Sequence, residues 1–166
     1  MKIACVSSKE RGKIDRILFD VAVQLQAGDV SLVGIVKDQD YASSFENGCD
    51  MKVRVLPEGP VIKITQNLGA GSDACRLDPG AIANAVSCVE ASSFDQADLF
   101  ILNKFGPEEA AGRGFCSVIG NALEHGIPVL VGVSTENKSA FDTFAGELAV
   151  TLADDTKEIL DWFRKN

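Results

Sequence analysis

A chain of 166 residues with 46% hydrophobic and 24% charged residues fits one soluble domain, 1–166, able to bury its own core. Its net charge of −8 argues against nucleic acid as a partner, since phosphate backbones need a basic surface. With no apolar run of bilayer length and no signal-peptide pattern, the expectation is a cytoplasmic protein without membrane insertion.

Lys2 to Val6 opens the chain as a short buried strand. Ser7 and Ser8 are candidate helix caps. Ile14, Ile17, Leu18, Val21, Ala22 and Leu25 then recur at helical spacing, and Gly28 ends that helix. Val30 to Val36 is rich in β-branched residues and predicts a second strand, parallel to the first because a helix intervenes. Lys37 to Asp50 is polar and reads as a loop, a candidate surface for a protein partner. Lys52–Leu56 and Val61–Thr65 flank Pro57-Glu58-Gly59-Pro60, which predicts a hairpin. Gln66 to Gly80 reads as another long loop. Asp78-Pro79 supplies an N-cap and a first-turn proline for a helix with Ile82, Ala85, Val86 and Val89 on its apolar face.

Leu99 to Leu102 is an unbroken apolar run, as expected of a strand buried on both faces, and Asn103 to Pro107 reads as a turn. Phe115, Val118, Ile119, Ala122 and Leu123 give the next helix one apolar face. Gly126 and Pro128 stop it before a strand over Val129–Val133. Ser134–Gly146 predicts a short helix, Glu147–Leu152 a last strand, and Asp154-Asp155 the start of a terminal helix with Ile159, Leu160 and Phe163 facing in. The pattern predicts a three-layer α/β/α sandwich with a mainly parallel sheet plus a β-hairpin. In such sheets ligands bind at the carboxyl ends of the strands, which draws attention to two turns: the one after the first strand and Asn103-Lys104-Phe105-Gly106. The first strand is expected centrally, with both turns at one edge and the charges of Lys13 and Lys104 converging on one pocket.

The first turn reads CVSSKERGKIDRIL. A phosphate-binding P-loop needs G-x-x-x-x-G-K-[ST] between a strand and a helix. Gly12-Lys13 stands where that motif has GK, but Ser7 occupies its first glycine and Ile14 replaces the metal-holding hydroxyl. Lys9, Arg11, Lys13 and Arg16 crowd the helix start, where cations oppose the helix dipole and a bound anion would turn the arrangement favourable. The alternative is a plain capped helix with solvated charges.

The segments CDMKVRVLPEGPVIKITQNLG, SDACRLDP and ADLFILNKFGPEEAAGRGF resemble an uncharacterised bacterial family classed as a domain of unknown function, DUF2478, itself similar to small P-loop nucleoside triphosphatases. The resemblance runs over roughly Met1 to Leu152 and implies a P-loop-type α/β sandwich. In the active relatives the strand matching Leu99–Leu102 ends in an acidic pair, one acid contacting magnesium and the other activating water. Here those positions carry Asn103 and Lys104. The resemblance therefore implies loss of magnesium and of efficient hydrolysis. Some members of the family are associated with molybdate transport.

Three functions follow as expectations. The first is a degenerate P-loop protein binding a phosphate-bearing ligand, a nucleotide or an oxyanion. It would do so through Ser8, Lys9, Arg11, Gly12, Lys13, Arg76, Asn103 and Lys104. The second is an atypical nucleoside triphosphatase with Glu108 or Glu109 as the catalytic acid or base. The third is a ligand-free adaptor.

The remaining candidates are weaker signals. Asn103-Lys104 begins an NKxD guanine-reading motif, but Gly106 stands at its aspartate position. Gly69-Ala70-Gly71-Ser72-Asp73-Ala74 matches GxGxxA, yet the helix it should open begins only at Pro79. Among five cysteines at 5, 49, 75, 88 and 116, with no CxxC, the loop residues Cys49 and Cys75 are candidates for a redox or metal-holding pair. The alternative is two buried free thiols. The single histidine, His125, rules out a histidine-rich metal site within the chain and is expected at the negative end of a helix dipole.

Overall fold

The computed structural model describes residues 2–41, 50–66, 68 and 77–166. In chain order the strands are β1 (Ile3–Val6), β2 (Leu32–Lys37), β3 (Lys52–Leu56), β4 (Val61–Lys63), β5 (Leu99–Phe105), β6 (Val129–Val133) and β7 (Ala149–Leu152). The helices are α1 (Lys13–Gln26), α2 (Pro79–Glu90), α3 (Pro107–Ala110), α4 (Cys116–Glu124), α5 (Lys138–Ala145) and α6 (Thr156–Arg164). The strands form one sheet in the order β4-β3-β2-β5-β6-β1-β7. β2, β5, β6, β1 and β7 run parallel, and the β3–β4 hairpin extends the sheet antiparallel beyond β2.

Alternation along each buried strand feeds two cores. Ile3 and Cys5 of β1 face the layer containing Ile82 and Val89 of α2, Val118 and Ile119 of α4 and Phe141 of α5. Ala4 and Val6 face the other layer, with Leu18 and Val21 of α1 and Ile159 and Leu160 of α6. This is the α/β/α sandwich that the apolar runs predict. The Asp78 carboxylate caps α2 by accepting the Gly80 and Ala81 amides, as expected. Trp162 and Phe163 lie half-buried against the second core.

Three expectations need correction. β1 is fully buried yet lies one strand in from the edge, between β6 and β7, and so not at the centre of the sheet. The segment expected as a turn from Asn103 is the end of β5. The strand runs on to Phe105, which is fully buried, pairs with Val133 and packs edge-on against Phe141 at 5.4 Å. Third, neither Ser7 nor Ser8 caps α1. Its N-cap is Gly12 in the left-handed conformation (φ 76°), and Ser8 Oγ accepts the Glu10 amide instead.

Candidate functional site

Every parallel strand delivers its carboxyl end to the same edge of the sheet. There Lys37 ends β2, Asn103 lies near the end of β5, Ser134 follows β6, the Ser7–Gly12 turn follows β1 and Asp154 follows β7. Gly132 lets α1 approach this edge closely. A Cβ at Gly132 would stand 2.1 Å from the Asn103 carbonyl oxygen and 2.9 Å from both Ile14 Cγ2 and Leu18 Cδ1.

A cavity of about 150 Å³ opens between these elements. Its walls include Ser8, Arg11, Gly12, Asp15, Lys104 and Ser134. It holds the volume of about five waters, well below the several hundred Å³ usual for a drug-sized ligand. Its size suits a small oxyanion or a single phosphate group.

β5 reaches the cavity through a bulge. Leu102 pairs with Val131 and Phe105 with Val133, so β5 carries one extra residue. Bulges re-aim side chains next to sites. The Asn103 side chain, 2% exposed, meets two neighbours: Oδ1 accepts the Lys37 amide at 2.9 Å and Nδ2 donates to Asp15 Oδ1 at 3.0 Å. Lys37 Nζ donates to the other Asp15 oxygen at 3.1 Å. Asp15, in the first turn of α1, thus joins two strands and a helix.

The anion candidates fall into different places. Ser8, Arg11, Gly12, Asn103 and Lys104 line the cavity. Lys13 does not. Its ammonium lies 2.9 Å from Asp154 Oδ2, and both side chains are about one-third exposed. Ser8 hydrogen-bonds the same carboxylate, and with Lys13 it holds the Asp154 carboxyl below the usual range; Asp154 in turn raises Lys13. The convergence expected of Lys13 and Lys104 is therefore not the observed arrangement, although both stand at one edge. Part of the turn's donor capacity is also spent, because the Lys13 amide bonds the Glu10 carbonyl at 3.3 Å. Lys9 is exposed on the turn. Arg76, Cys49 and Cys75 lie outside the described residues, as does the GxGxxA segment.

The two carboxylates offered as catalytic are both engaged. Glu109 is buried; one oxygen accepts the Gly106 amide at 2.9 Å and the other the Phe115 amide at 3.0 Å. It ties α3 to the start of α4. Glu108 pairs with the Arg113 guanidinium at 2.9 and 3.0 Å, which holds its carboxyl below the usual range. The Cys116 thiol donates to the Glu109 carbonyl at 3.3 Å, and burial, aided by the Glu109 charge, pushes its pKa up. Cys5 is buried in the core and Cys88 lies half-exposed on α2. His125 sits at the C-cap of α4 with Nδ1 2.8 Å from the Asn121 carbonyl oxygen. Sequence reasoning missed Lys37, Asp154 and Ser134 as parts of this edge. Asp15 carried a weak signal as an acid beside the GK pair.

Strand order, the glycine-ended turn before α1 and the cavity at the carboxyl edge define a P-loop nucleoside-triphosphatase-like α/β fold. A solution structure of a human cancer-related nucleoside triphosphatase shares it, with a TM-score of 0.61 and 13% identity over 96% of this chain and 92% of that one. The chain belongs to the family described as protein of unknown function (DUF2478), whose model matches residues 3–162. It is also similar to the molybdenum import ATP-binding protein ModC 2 of Bradyrhizobium diazoefficiens, 32% identical over 165 residues. That match covers 98% of this chain but only 18% of that relative. Among the described residues no helix is long and apolar enough to cross a membrane.

The fold implies magnesium, held in hydrolysing P-loop enzymes by a hydroxyl and a carboxylate. Among the described residues, Ile14, Asn103 and Asp15 do not fit it. Ile14 offers no oxygen from its side chain, Asn103 spends its amide on Lys37 and Asp15, and the Asp15 carboxylate is already paired with an ammonium. No cluster of three or more metal-ligating side chains occurs among the described residues.

Proposed function

We propose that this chain binds a small tetrahedral oxyanion, or one phosphate of a larger ligand, at the first turn, without efficient hydrolysis. The observation that carries the reading is the cavity itself: it is small, with Gly12, Lys104 and the amino end of α1 in its wall, and its two carboxylates, Glu10 and Asp15, are paired with Arg16 and Lys37. Helix amino ends and cations favour negative charge, and glycine lets an anion approach the backbone. The name of the similar molybdenum importer supports molybdate as one candidate oxyanion, and the nucleoside-triphosphatase fold supports a nucleotide phosphate as the other. Lys13 would join the ligand on leaving Asp154.

Calorimetry with phosphate, molybdate and ATP on wild type and Lys104→Glu tests the reading. Binding of one of them, weakened by salt and lost in the variant, is the expected result. Failure of all three, with the protein folded, would leave the adaptor reading ahead. One observation favours that second reading: the chain matches only 18% of a larger relative.

A further inference from the structure

We infer that Lys37 is the resident cation of this site, so that an anion binds beside Asp15 without magnesium. Asp15 is a cavity wall, and on its own its charge would repel any oxyanion. The structure answers that charge from within the chain. Lys37 Nζ stands 3.1 Å from one Asp15 oxygen, and the Asn103 amide donates to the other at 3.0 Å. The pair is largely shielded, with Lys37 31% and Asp15 20% exposed, so salt screens it less than a surface pair. Asn103 fixes the geometry from both sides, because its carbonyl oxygen also takes the Lys37 backbone amide at 2.9 Å.

An asparagine suits this arrangement where an aspartate would not. An acid at 103 would place a second carboxylate against Asp15 and lose the donor that Asp15 accepts from. Asn103 and Lys37 therefore act together: one removes a negative charge from this edge and the other neutralises the one that remains. In the same wall Lys104 adds positive charge, while the Glu10 carboxylate is paired with Arg16 at 2.7 Å. Lys37 is thus a positioning and charge-setting residue for anion selectivity.

The anion arm of the test rests on the proposed oxyanion binding; the metal arm does not. In the first, phosphate and molybdate are titrated in the presence of magnesium and of a chelator. Affinity should be the same in both, should fall on the order of tenfold in Lys37→Met, and should recover in Lys37→Met/Asp15→Asn. In the second, manganese(II) alone is titrated and followed by its electron spin signal. Wild type should not hold the ion, Lys37→Met should, and the added Asp15→Asn should abolish it.

Magnesium-dependent anion binding in wild type, or manganese held by wild type and lost in Asp15→Asn, would overturn the inference. So would a folded Lys37→Met with unchanged anion affinity or without a manganese site. Should no oxyanion bind any variant, the metal titration alone still decides. Should Lys37→Met fail to fold, Asp15→Asn alone serves: it should tighten oxyanion binding several-fold, and weaker binding would overturn the inference.

Discussion

Lys13 Nζ and Asp154 Oδ2 lie 2.9 Å apart, joining the start of α1 to the segment after β7. The lysine that a phosphate would recruit is thus held by a carboxylate of the same chain. A ligand must compete with Asp154 for it. Asp154→Asn should therefore raise phosphate or molybdate affinity about two- to fivefold, the scale of a partly exposed ion pair, while Lys13→Ala should lower it. Calorimetry on both variants checks this. Equal affinity in wild type and Asp154→Asn would mean that Lys13 takes no part in binding.

The same pair sets a pH dependence. Ser8 and then Lys13 depress the Asp154 pKa from its ordinary 3.8. A depressed carboxylate contributes stability that is present above its unfolded pKa and lost as pH falls through the lower folded value. Asp154 raises the Lys13 pKa from 10.5, so that contribution is present below 10.5 and lost as pH rises through the higher folded value. The difference in denaturant midpoint between wild type and Asp154→Asn should thus be flat from about pH 5 to pH 8 and shrink below about pH 4. A difference that grows on acidification would contradict the pairing.

Two glycines at the site should respond differently to alanine. At Gly12 a Cβ would meet nothing within 4 Å, so only its φ of +76° opposes substitution. Gly12→Ala should cost about 1–2 kcal/mol, the usual penalty of the left-handed conformation. At Gly132 a Cβ would stand 2.1 Å from backbone, and α1 or β5 must move. Gly132→Ala should cost about 3 kcal/mol, at the upper end for overpacking, and should also disturb the Asn103 bonds to Lys37 and Asp15. Denaturant melts rank the two; a milder effect at Gly132 would refute the close approach of α1.

The layers were legible because each buried strand is a run of apolar residues and each helix shows one apolar face. Ile17, Leu18 and Val21, for example, lie together in one core. The end of β5 was not legible. Asn103 and Lys104 are polar and read as a turn, because a bulge that buries an asparagine leaves no periodic trace. The GK pair drew attention to the turn that holds Ser8, Arg11 and Gly12, which line the cavity, although Lys9 and Lys13 do not. The partners of the charged residues could not: Lys13 finds Asp154 near the other end of the chain, and Lys37 at the end of β2 finds Asp15 in the first turn of α1. Pairing of that kind depends on strand order, and strand order is a tertiary property.

Glu109 offers a test of structure against catalysis. Its two oxygens accept the Gly106 and Phe115 amides inside the protein. Hydrogen bonds to a buried charged acceptor contribute about 1.5–3 kcal/mol, and an amide in its place would set an N–H against one of the donors. Glu109→Gln should therefore destabilise the fold by about 2 kcal/mol or more and leave oxyanion affinity unchanged at temperatures where the protein is folded. Thermal melting and calorimetry on the same sample separate the two. Loss of ligand binding without loss of stability would move Glu109 into the site.

Hydrolysis is the last test, and the side chains bear on it directly. Efficient phosphoryl transfer to water needs a metal to hold the phosphates and a group to orient the attacking water. By the resemblance to P-loop nucleoside triphosphatases, Ile14 and Asn103 take the places of a metal-holding hydroxyl and acid, and Lys104 that of a water-activating carboxylate. Glu108 is bound to Arg113 by two hydrogen bonds, and Glu109 is bound to backbone. Turnover of ATP or GTP should therefore fall far below the roughly 1–100 per second of ordinary phosphoryl-transfer enzymes, with or without magnesium. Released phosphate, measured on wild type and Lys13→Ala, gives the answer. Turnover in that range that Lys13→Ala abolishes would establish an active triphosphatase and displace the oxyanion reading.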